Sequence, residues 1–147
     1  SQLIANAIHH ALRKPAKIPA EYIDKLTHDM AIGDGESVKI NLSLKHGLVI
    51  DIDDDSQLSS FLSIGDVLLT VNDKVVSKPD FKLQDQFKDK AAKTLTFTYI
   101  RFKAFLQEEP KIDDADRRDN FAYRFGVIYL YQSMHFGLVF QGHEGRV

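Results

Sequence analysis

Three aspartates spaced two residues apart, Asp51, Asp53 and Asp55, are the side chains whose spacing first suggests chemistry. Alternate carboxylates of this kind open a calcium-binding loop, in which the sixth position is glycine and the twelfth is glutamate. Counted from Asp51, those positions hold Ser56 and Leu62. We therefore interpret the aspartates as a solvated strand end followed by a helix cap, and we expect no metal site.

The other candidates for catalysis or metal binding also lack the neighbours that they need. Ser37 stands in the sequence GESVK, without the second glycine that closes a nucleophile elbow. The histidines include no pair at H-x-x-x-H spacing, and the adjacent His9 and His10 would point about 100° apart on a helix. The chain has no cysteine. The sequence therefore predicts a protein that is not an enzyme and that needs no cofactor.

Composition excludes several classes of partner. The 147 residues carry a net charge of −2, and they are 44% hydrophobic and 27% charged, as in an ordinary globular protein of one or two small domains. The basic residues form no stripe with interleaved aromatics, so we expect no nucleic-acid partner. No apolar run approaches the roughly 18 residues of a membrane span, so no direct membrane insertion is expected. The absence of cysteine fits a reducing compartment, and we expect a cytoplasmic protein that approaches a membrane only through partners.

The N-terminal residues are predicted to form helices. In residues 1–14, apolar side chains recur at i, i+3, i+4 and i+7, and Pro15 ends the pattern. Pro19 suits the first position of a second short helix, with Tyr22, Ile23 and Leu26 on one face. Residues 1–26 are therefore interpreted as an N-terminal helical extension.

A change of period then indicates strands. In residues 38–44, Val, Ile and Leu alternate with polar residues, as in a half-buried strand, and a turn at residues 45–47 leads to a return strand at 48–52. Residues 67–71 are apolar without interruption, which predicts a strand buried on both faces. The remaining predicted elements are a short helix at 57–62, a turn at Asn72 and Asp73, a stub strand at 74–76, a helix capped by Asp80 with the stripe Leu83, Phe87 and Ala91, and a strand at 95–100.

The order of these elements and one motif resemble the PDZ family. Residues 62–73, LSIGDVLLTVND, are similar to the family signature L-x-x-G-D-x-I-L-x-V-N-G, with Asp73 in place of its last glycine. The resemblance covers about residues 27–103. It implies an α+β fold, a small, partly open antiparallel β-barrel with two helices, which the N-terminal helical arm precedes. By resemblance, Gly65 and Asp66 shape the start of the central strand.

The resemblance also implies a peptide-binding groove. Ligands of this family add a strand to the sheet edge, here residues 38–44, and a terminal carboxylate sits in a nest of main-chain N–H groups. The expected groove residues are Ser37, Val38, Lys39, Ile40, Asn41, Leu42, Asp80, Phe81 and Gln84. Leu83 and Phe87 are expected to support its apolar pocket. Phe81, or alternatively Asp80, would face the third-last side chain of the ligand.

Lys39 departs from the family pattern, which has glycine at this position of the loop. The lysine charge could favour a carboxylate, or its Cβ could spoil the nest. Both alternatives stay open from the sequence, and so does the alternative that Phe81 is simply a core residue.

The C-terminal part of the chain is predicted to be a linker and a tail. Residues 104–120 are interpreted as a charged linker, and residues 121–147 resemble the start of a second, incomplete PDZ unit. The carboxylate loop of that unit would be Gly137, Leu138, Val139 and Phe140. Because so short a fragment cannot bury its own aromatic strand, we expect the tail to pair with its own copy in a homodimer, or to fold back on the first unit.

Three functions are consistent with these features. The first is a non-catalytic module of a multi-PDZ scaffold or adaptor that binds the C-terminal tail or an internal peptide of another protein. The second is a degenerate, structural PDZ used for intramolecular or homotypic packing. The third is an auxiliary PDZ of a larger enzyme. Peptide binding in the groove separates the first function from the second.

Overall fold

A computed structural model describes residues 1–13, 18–33, 37–88, 93–104 and 109–126. These residues form a six-stranded antiparallel sheet and two α-helices, which confirms the predicted α+β class. The elements are α1 (Gln2–Leu12), β1 (Ile23–Ala31), β2 (Leu42–Lys45), β3 (Leu48–Ile52), β4 (Val67–Val71), β5 (Lys74–Val75), α2 (Leu83–Gln86) and β6 (Thr94–Phe102), with 3-10 turns at Ala20–Tyr22 and Gln57–Ser60. The strands lie in the order β1-β6-β4-β3-β2, and β5 pairs with β4.

Strand β4 lies inside the protein, as its uninterrupted apolar sequence predicted. Val67, Leu68, Leu69 and Val71 are each no more than 1% exposed. Val67 and Leu69 join one apolar cluster with helix α1, and Leu68 joins the other, which we call the first apolar cluster. Val71 also belongs to the first apolar cluster, because a register irregularity between Leu68 and Thr70 interrupts the alternation of side chains along the strand. The strand has no polar face because both sides of the sheet are covered there.

Helix α1 covers one of these two faces, and the predicted first helix is confirmed. The hydroxyl of Ser1 caps it by accepting the N–H of Ile4, and Arg13 ends it with φ 61°. Its buried residues Ala7, Ile8 and Ala11 pack with Val67 and Leu69 of β4, and with Leu48 and Ile100. The amphipathic helix is therefore part of the core.

Asp66, which precedes β4 in the motif, anchors the strand to β6. Its carboxylate accepts Nε of Arg101 at 2.9 Å and a second guanidinium nitrogen at 2.8 Å, and it accepts the N–H of Ser63 at 2.8 Å. Asp66 is 1% exposed, so a buried charge meets a bidentate partner and a main-chain donor. The Gly-Asp pair is scaffold, as the resemblance implied.

Two hairpin turns use residues with positive φ. Asn72 and Asp73 join β4 to β5 with φ of 48° and 65°, and His46 and Gly47 join β2 to β3 with φ of 51° and 80°. Two consecutive positive values are the requirement of a type I′ turn, whose twist matches the flanking strands. Both predicted turns are therefore confirmed, and His46 is held in a fixed turn.

The prediction of a second short helix that starts at Pro19 is wrong. Residues 20–22 form only a 3-10 turn, and Ile23 begins β1, which pairs with β6 over nine residues from Ile23 opposite Phe102 to Ala31 opposite Thr94. The apolar positions that suggested a helical face belong to a strand in which Leu26, His28 and Met30 alternate as half-buried residues. The partner strand, about 70 residues away in sequence, decides the structure here, and the predicted domain boundary at residue 27 falls inside β1.

Two other predicted elements begin later than expected. Regular pairing of β2 starts at Leu42, not at residue 38, because Asn41 takes φ 36°; the alternating burial of residues 37–45 nevertheless follows the prediction. The helix that was expected to follow Asp80 is α2. It begins at Leu83 with Lys82 at its N-cap position, so the predicted cap at Asp80 is wrong.

The C-terminal predictions concern residues of which little is described. In residues 109–126, the Tyr123 hydroxyl accepts the N–H of Arg118 at 2.7 Å, and the Arg117 guanidinium lies 5.2 Å from the Tyr123 ring centre. Gly137, Leu138, Val139 and Phe140, the predicted carboxylate loop of a second unit, lie outside the described residues. The linker, the second unit and the homodimer through residues 121–147 stay predictions.

Candidate functional site

A cleft of about 400 Å³ opens beside the edge of the sheet at β2. One side comes from β2 and the β2–β3 turn, and another comes from the segment between β5 and α2. Its lining consists of His10, Leu42, Leu44, His46, Gly47, Val76, Lys78, Pro79, Phe81, Lys82, Leu83 and Gln84. Three separate parts of the chain, including helix α1, thus meet at one site.

The apolar part of this lining rests on the protein core. Val76 and Leu83 are buried members of the first apolar cluster, and Leu42, Leu44 and Phe81 pack against that cluster while staying partly exposed. A partly exposed apolar surface on a well-packed support is suited to receive apolar side chains of a ligand. Phe81 is therefore both a core contact and a cleft residue, so the two sequence alternatives for it do not exclude each other.

Strand β2 gives the cleft an open sheet edge. It is the last strand in the order β1-β6-β4-β3-β2, and within the described ranges only β3 pairs with it. An edge strand presents main-chain N–H and C=O groups without a strand partner. An extended peptide can use such groups by adding itself as the next strand.

The loop predicted to form the carboxylate nest, residues 37–40, is hydrogen-bonded to another part of the protein together with Asn41. The N–H of Lys39 donates to the side-chain oxygen of Gln57 at 3.1 Å, and the Lys39 carbonyl accepts the N–H of Gln57 at 3.0 Å. The carbonyl of Asn41 accepts the N–H of Asp53 at 3.0 Å, and the carbonyl of Ile40 accepts the hydroxyl of Ser56. Residues 39–41 are thus bound to the segment that follows β3, and the middle N–H of the nest already has an acceptor.

The three aspartates of the apparent calcium loop lie in the same region. Asp51, Asp53 and Asp55 are exposed, and the carboxylate of Asp55 accepts the side-chain amide of Asn41 at 3.2 Å. Ser56 caps the following 3-10 turn by accepting the N–H of Leu58 at 3.2 Å. Across residues 1–13, 18–33, 37–88, 93–104 and 109–126, no group of three or more acidic residues or histidines is placed to hold a metal ion.

The cleft includes three of the predicted groove residues, Leu42, Phe81 and Gln84. Ser37, Val38, Lys39, Ile40 and Asn41 do not line it, and Asp80 is exposed beside it. Leu44 belongs to the alternation that the sequence displays, and Leu83 was expected as a supporting residue. The sequence gives no local signal for His10, which reaches the cleft from helix α1. The role of each residue in peptide binding stays a prediction.

The charged and titratable side chains of the lining are all basic. Among the described residues, His10, His46, Lys78 and Lys82 line the cleft and no carboxylate does. The rings of His10 and His46 meet edge to face, with centroids 5.3 Å apart. Burial lowers the pKa of His10, and the neighbouring His46 and Arg13 lower it further. Lys78 and Lys82 therefore supply the positive charge of the lining, and an uncharged ligand would leave it without a counter-charge.

Solved structures similar to this chain include two complexes. The complex of INAD PDZ45 with an NG2 peptide is 21% identical with a TM-score of 0.42, and the complex of INAD PDZ45 with NORPA CC-PBM is 16% identical with a TM-score of 0.40. Each match covers 60% of this chain and 47% of the other chain, so it spans about half of the chain that it matches. At these scores the two similarities carry no further argument. No protein-family profile and no curated protein matches.

The fold of the described residues is an antiparallel sheet with two helices. Its elements follow in the order that the resemblance implied, from the β2–β3 hairpin through a short 3-10 turn, β4, β5 and α2 to β6. The motif at residues 62–73 occupies the start of β4, the strand itself and the turn after it. Within the described part of the chain, every helix falls short of the length and apolarity needed to cross a membrane.

Proposed function

We propose that this chain is a non-catalytic peptide-binding module whose cleft receives an extended segment of another protein as a strand added to β2. The observation that carries the proposal is the position of β2, an edge strand directly beside a cleft with an apolar floor. Main-chain pairing supplies affinity in this mode, and alternate side chains of the ligand supply specificity. The module then serves a cytoplasmic scaffold or adaptor.

We propose further that the ligand does not need a free C-terminus. In the loop that would bind a terminal carboxylate, the N–H of Lys39 donates to Gln57 at 3.1 Å. A carboxylate would have to displace this acceptor before it could bind there. An internal segment requires no such exchange, so internal peptides and C-terminal peptides should bind alike.

The same hydrogen bond favours a second candidate function. A groove whose nest is closed could serve packing rather than ligand binding, as a structural PDZ module used within its own chain or between copies. Within the described residues the edge of β2 is not covered by another strand, which supports the first candidate over packing inside the same chain.

Selection from two displayed peptide libraries tests the proposal. One library presents random peptides with free C-termini, and the other presents the same peptides inside a longer chain. The proposed function predicts that both libraries yield binders and that Phe81→Ala weakens them. The matched control is Phe121→Ala, because Phe121 is 63% exposed and lies outside the cleft. Selection of no binder from either library would favour the structural module.

A further inference from the structure

The charge of the cleft points to the chemistry of its ligand, an inference that rests on the proposed function. Lys78 and Lys82 stand on either side of Phe81 in the lining, and His10 and His46 complete the set of basic side chains. The chain as a whole carries a net charge of −2. The cationic lining is therefore a local feature and does not follow from a generally basic protein.

The two lysines are available to a ligand. Both are exposed, and among the ion pairs of the described residues none includes Lys78 or Lys82. Asp80, the nearest acidic residue along the chain, is exposed and does not line the cleft. The charges of Lys78 and Lys82 are thus free to meet an incoming carboxylate.

Main-chain hydrogen bonds fix the positions from which these lysines extend. The N–H of Lys78 donates to Val75 at 3.3 Å, and its carbonyl accepts the N–H of Phe81 at 3.1 Å. The carbonyl of Lys82 accepts the N–H of Asp85 at 3.2 Å and the side-chain amide of Gln86 at 3.3 Å. The charged ends are mobile on a fixed backbone, an arrangement that tolerates different acidic residues.

The fold also fixes the positions of His10 and His46. His46 occupies a two-residue hairpin turn, and its ring meets His10 of a helix that is packed on the core. Each ring can donate a hydrogen bond from a ring N–H to a carboxylate placed beside it. The pair thus adds hydrogen-bond donors at the end of the cleft beside the β2–β3 turn.

We infer that the cleft binds acidic peptides in which apolar residues alternate with aspartate or glutamate. In an extended ligand, alternate side chains point to opposite sides. The apolar set would enter the cleft and contact Leu42, Leu44 and Phe81. The acidic set would point out of the cleft, where the exposed and flexible side chains of Lys78 and Lys82 can reach it. Exposed charge pairs contribute little one by one, so preference for such a ligand depends on several pairs acting together.

Three synthetic decapeptides test this inference by fluorescence anisotropy. They share alternating valines and carry glutamate, glutamine or lysine at the positions between. The wild-type chain should bind the glutamate peptide roughly tenfold more tightly than the glutamine peptide, with the lysine peptide weakest. Raising the salt concentration should reduce this difference, because the charges are exposed and screened.

Charge reversal gives the decisive comparison. The double variant Lys78→Glu/Lys82→Glu should reverse the order and bind the lysine peptide best. The double variant Lys74→Glu/Lys111→Glu changes the net charge equally at two exposed lysines outside the cleft, and it should keep the wild-type order. Circular dichroism melting checks that both variants fold.

Each other outcome overturns the inference in a distinguishable way. Equal binding of the glutamate and glutamine peptides removes the acidic preference and leaves the peptide-binding function intact. Binding of none of the three peptides, together with failed library selection, contradicts both proposals. A chain that dimerises in light scattering, and that becomes monomeric in Lys78→Glu/Lys82→Glu, would assign the cleft to a second copy of the chain and would overturn the inference of a separate partner.

Discussion

The main chain of Lys39 is joined to Gln57 in both directions: the Lys39 N–H donates to the Gln57 side-chain oxygen at 3.1 Å, and the Lys39 carbonyl accepts the Gln57 N–H at 3.0 Å. The sequence raised the question whether the Cβ of Lys39 spoils the carboxylate nest. The hydrogen bond identifies a different obstacle, since the required N–H is already used. The two explanations make different predictions.

Removing the Gln57 side chain should create carboxylate dependence. In the wild type, a peptide with a free C-terminus and its C-terminal amide should bind equally. In Gln57→Ala, the free peptide should gain roughly tenfold, because a hydrogen bond to a charged group contributes about 1.5–3 kcal/mol. The matched variant Lys39→Gly removes the Cβ and keeps the Gln57 acceptor, so it should behave like the wild type. Isothermal titration of the three proteins with the two peptides measures this. Carboxylate dependence in Lys39→Gly alone would restore the Cβ explanation.

Truncating Phe81 should weaken peptide binding. Phe81 lines the cleft, is half-buried, and packs against the first apolar cluster. Phe81→Ala should cost about 1–2 kcal/mol of binding free energy, a plausible size for an aromatic contact at an interface. A fluorescence titration measures it against Phe121→Ala, which should bind as the wild type does. Equal affinities in the two variants would exclude Phe81 from the binding surface.

Acidification should destabilise the folded chain through His10. Burial lowers the pKa of His10 below 6.5, with further lowering from His46 and Arg13, and Lys78 and Lys82 line the same cleft. As the pH falls through 6.5, the unfolded chain takes up a proton first, so the folded state loses stability. His10→Gln should remove this part of the loss.

Melting temperatures measured across this pH range test the assignment. The control is His9→Gln, because His9 is the exposed neighbour on the same helix, and this variant should keep the wild-type pH dependence. An unchanged pH dependence in His10→Gln would show that His10 does not titrate differently in the folded and unfolded states. Added glutamate decapeptide should oppose the loss, because a carboxylate beside the histidines favours their protonated forms.

Helix α1 should contribute strongly to stability. Ile8 is 5% exposed and packs with Leu48 and Val67 of the sheet. Ile8→Ala should lower the free energy of unfolding by about 2–5 kcal/mol, the usual range for such a truncation in a core. His9→Ala, on the exposed side of the same helix, should change it little. Urea unfolding measures both, and equal values for the two variants would mean that the helix does not pack on the sheet in solution.

The sequence predicted the central elements because their signals are local. An unbroken apolar run is enough to predict a strand covered on both faces, as in β4, and Asn72 with Asp73 is enough to predict a turn that needs positive φ. Asp66 could be assigned to the scaffold by resemblance, although its partner Arg101 lies 35 residues away and has no local signature.

The failed predictions depend on distant contacts. The local pattern from Pro19 to Leu26 predicts a helix, whereas Ile23 begins β1, because this strand pairs with β6 about 70 positions later. Regular β2 begins at Leu42 because Asn41 departs from extended geometry, where residues 39–41 bind the segment after β3. The place of His10 in the cleft depends on how α1 packs across the sheet, a tertiary contact that the period of a helix does not specify.

Mapping a bound peptide onto the chain by NMR tests the central claim most directly. With isotope-labelled protein and an unlabelled peptide from the libraries, strand addition predicts nuclear Overhauser contacts between peptide main-chain protons and those of residues 42–45, together with shifts of the Phe81 ring. The peptide signals should show the spacing of an antiparallel or parallel strand pair. Contacts confined to the α1 side of the sheet, with the β2 amides unchanged, would contradict the account.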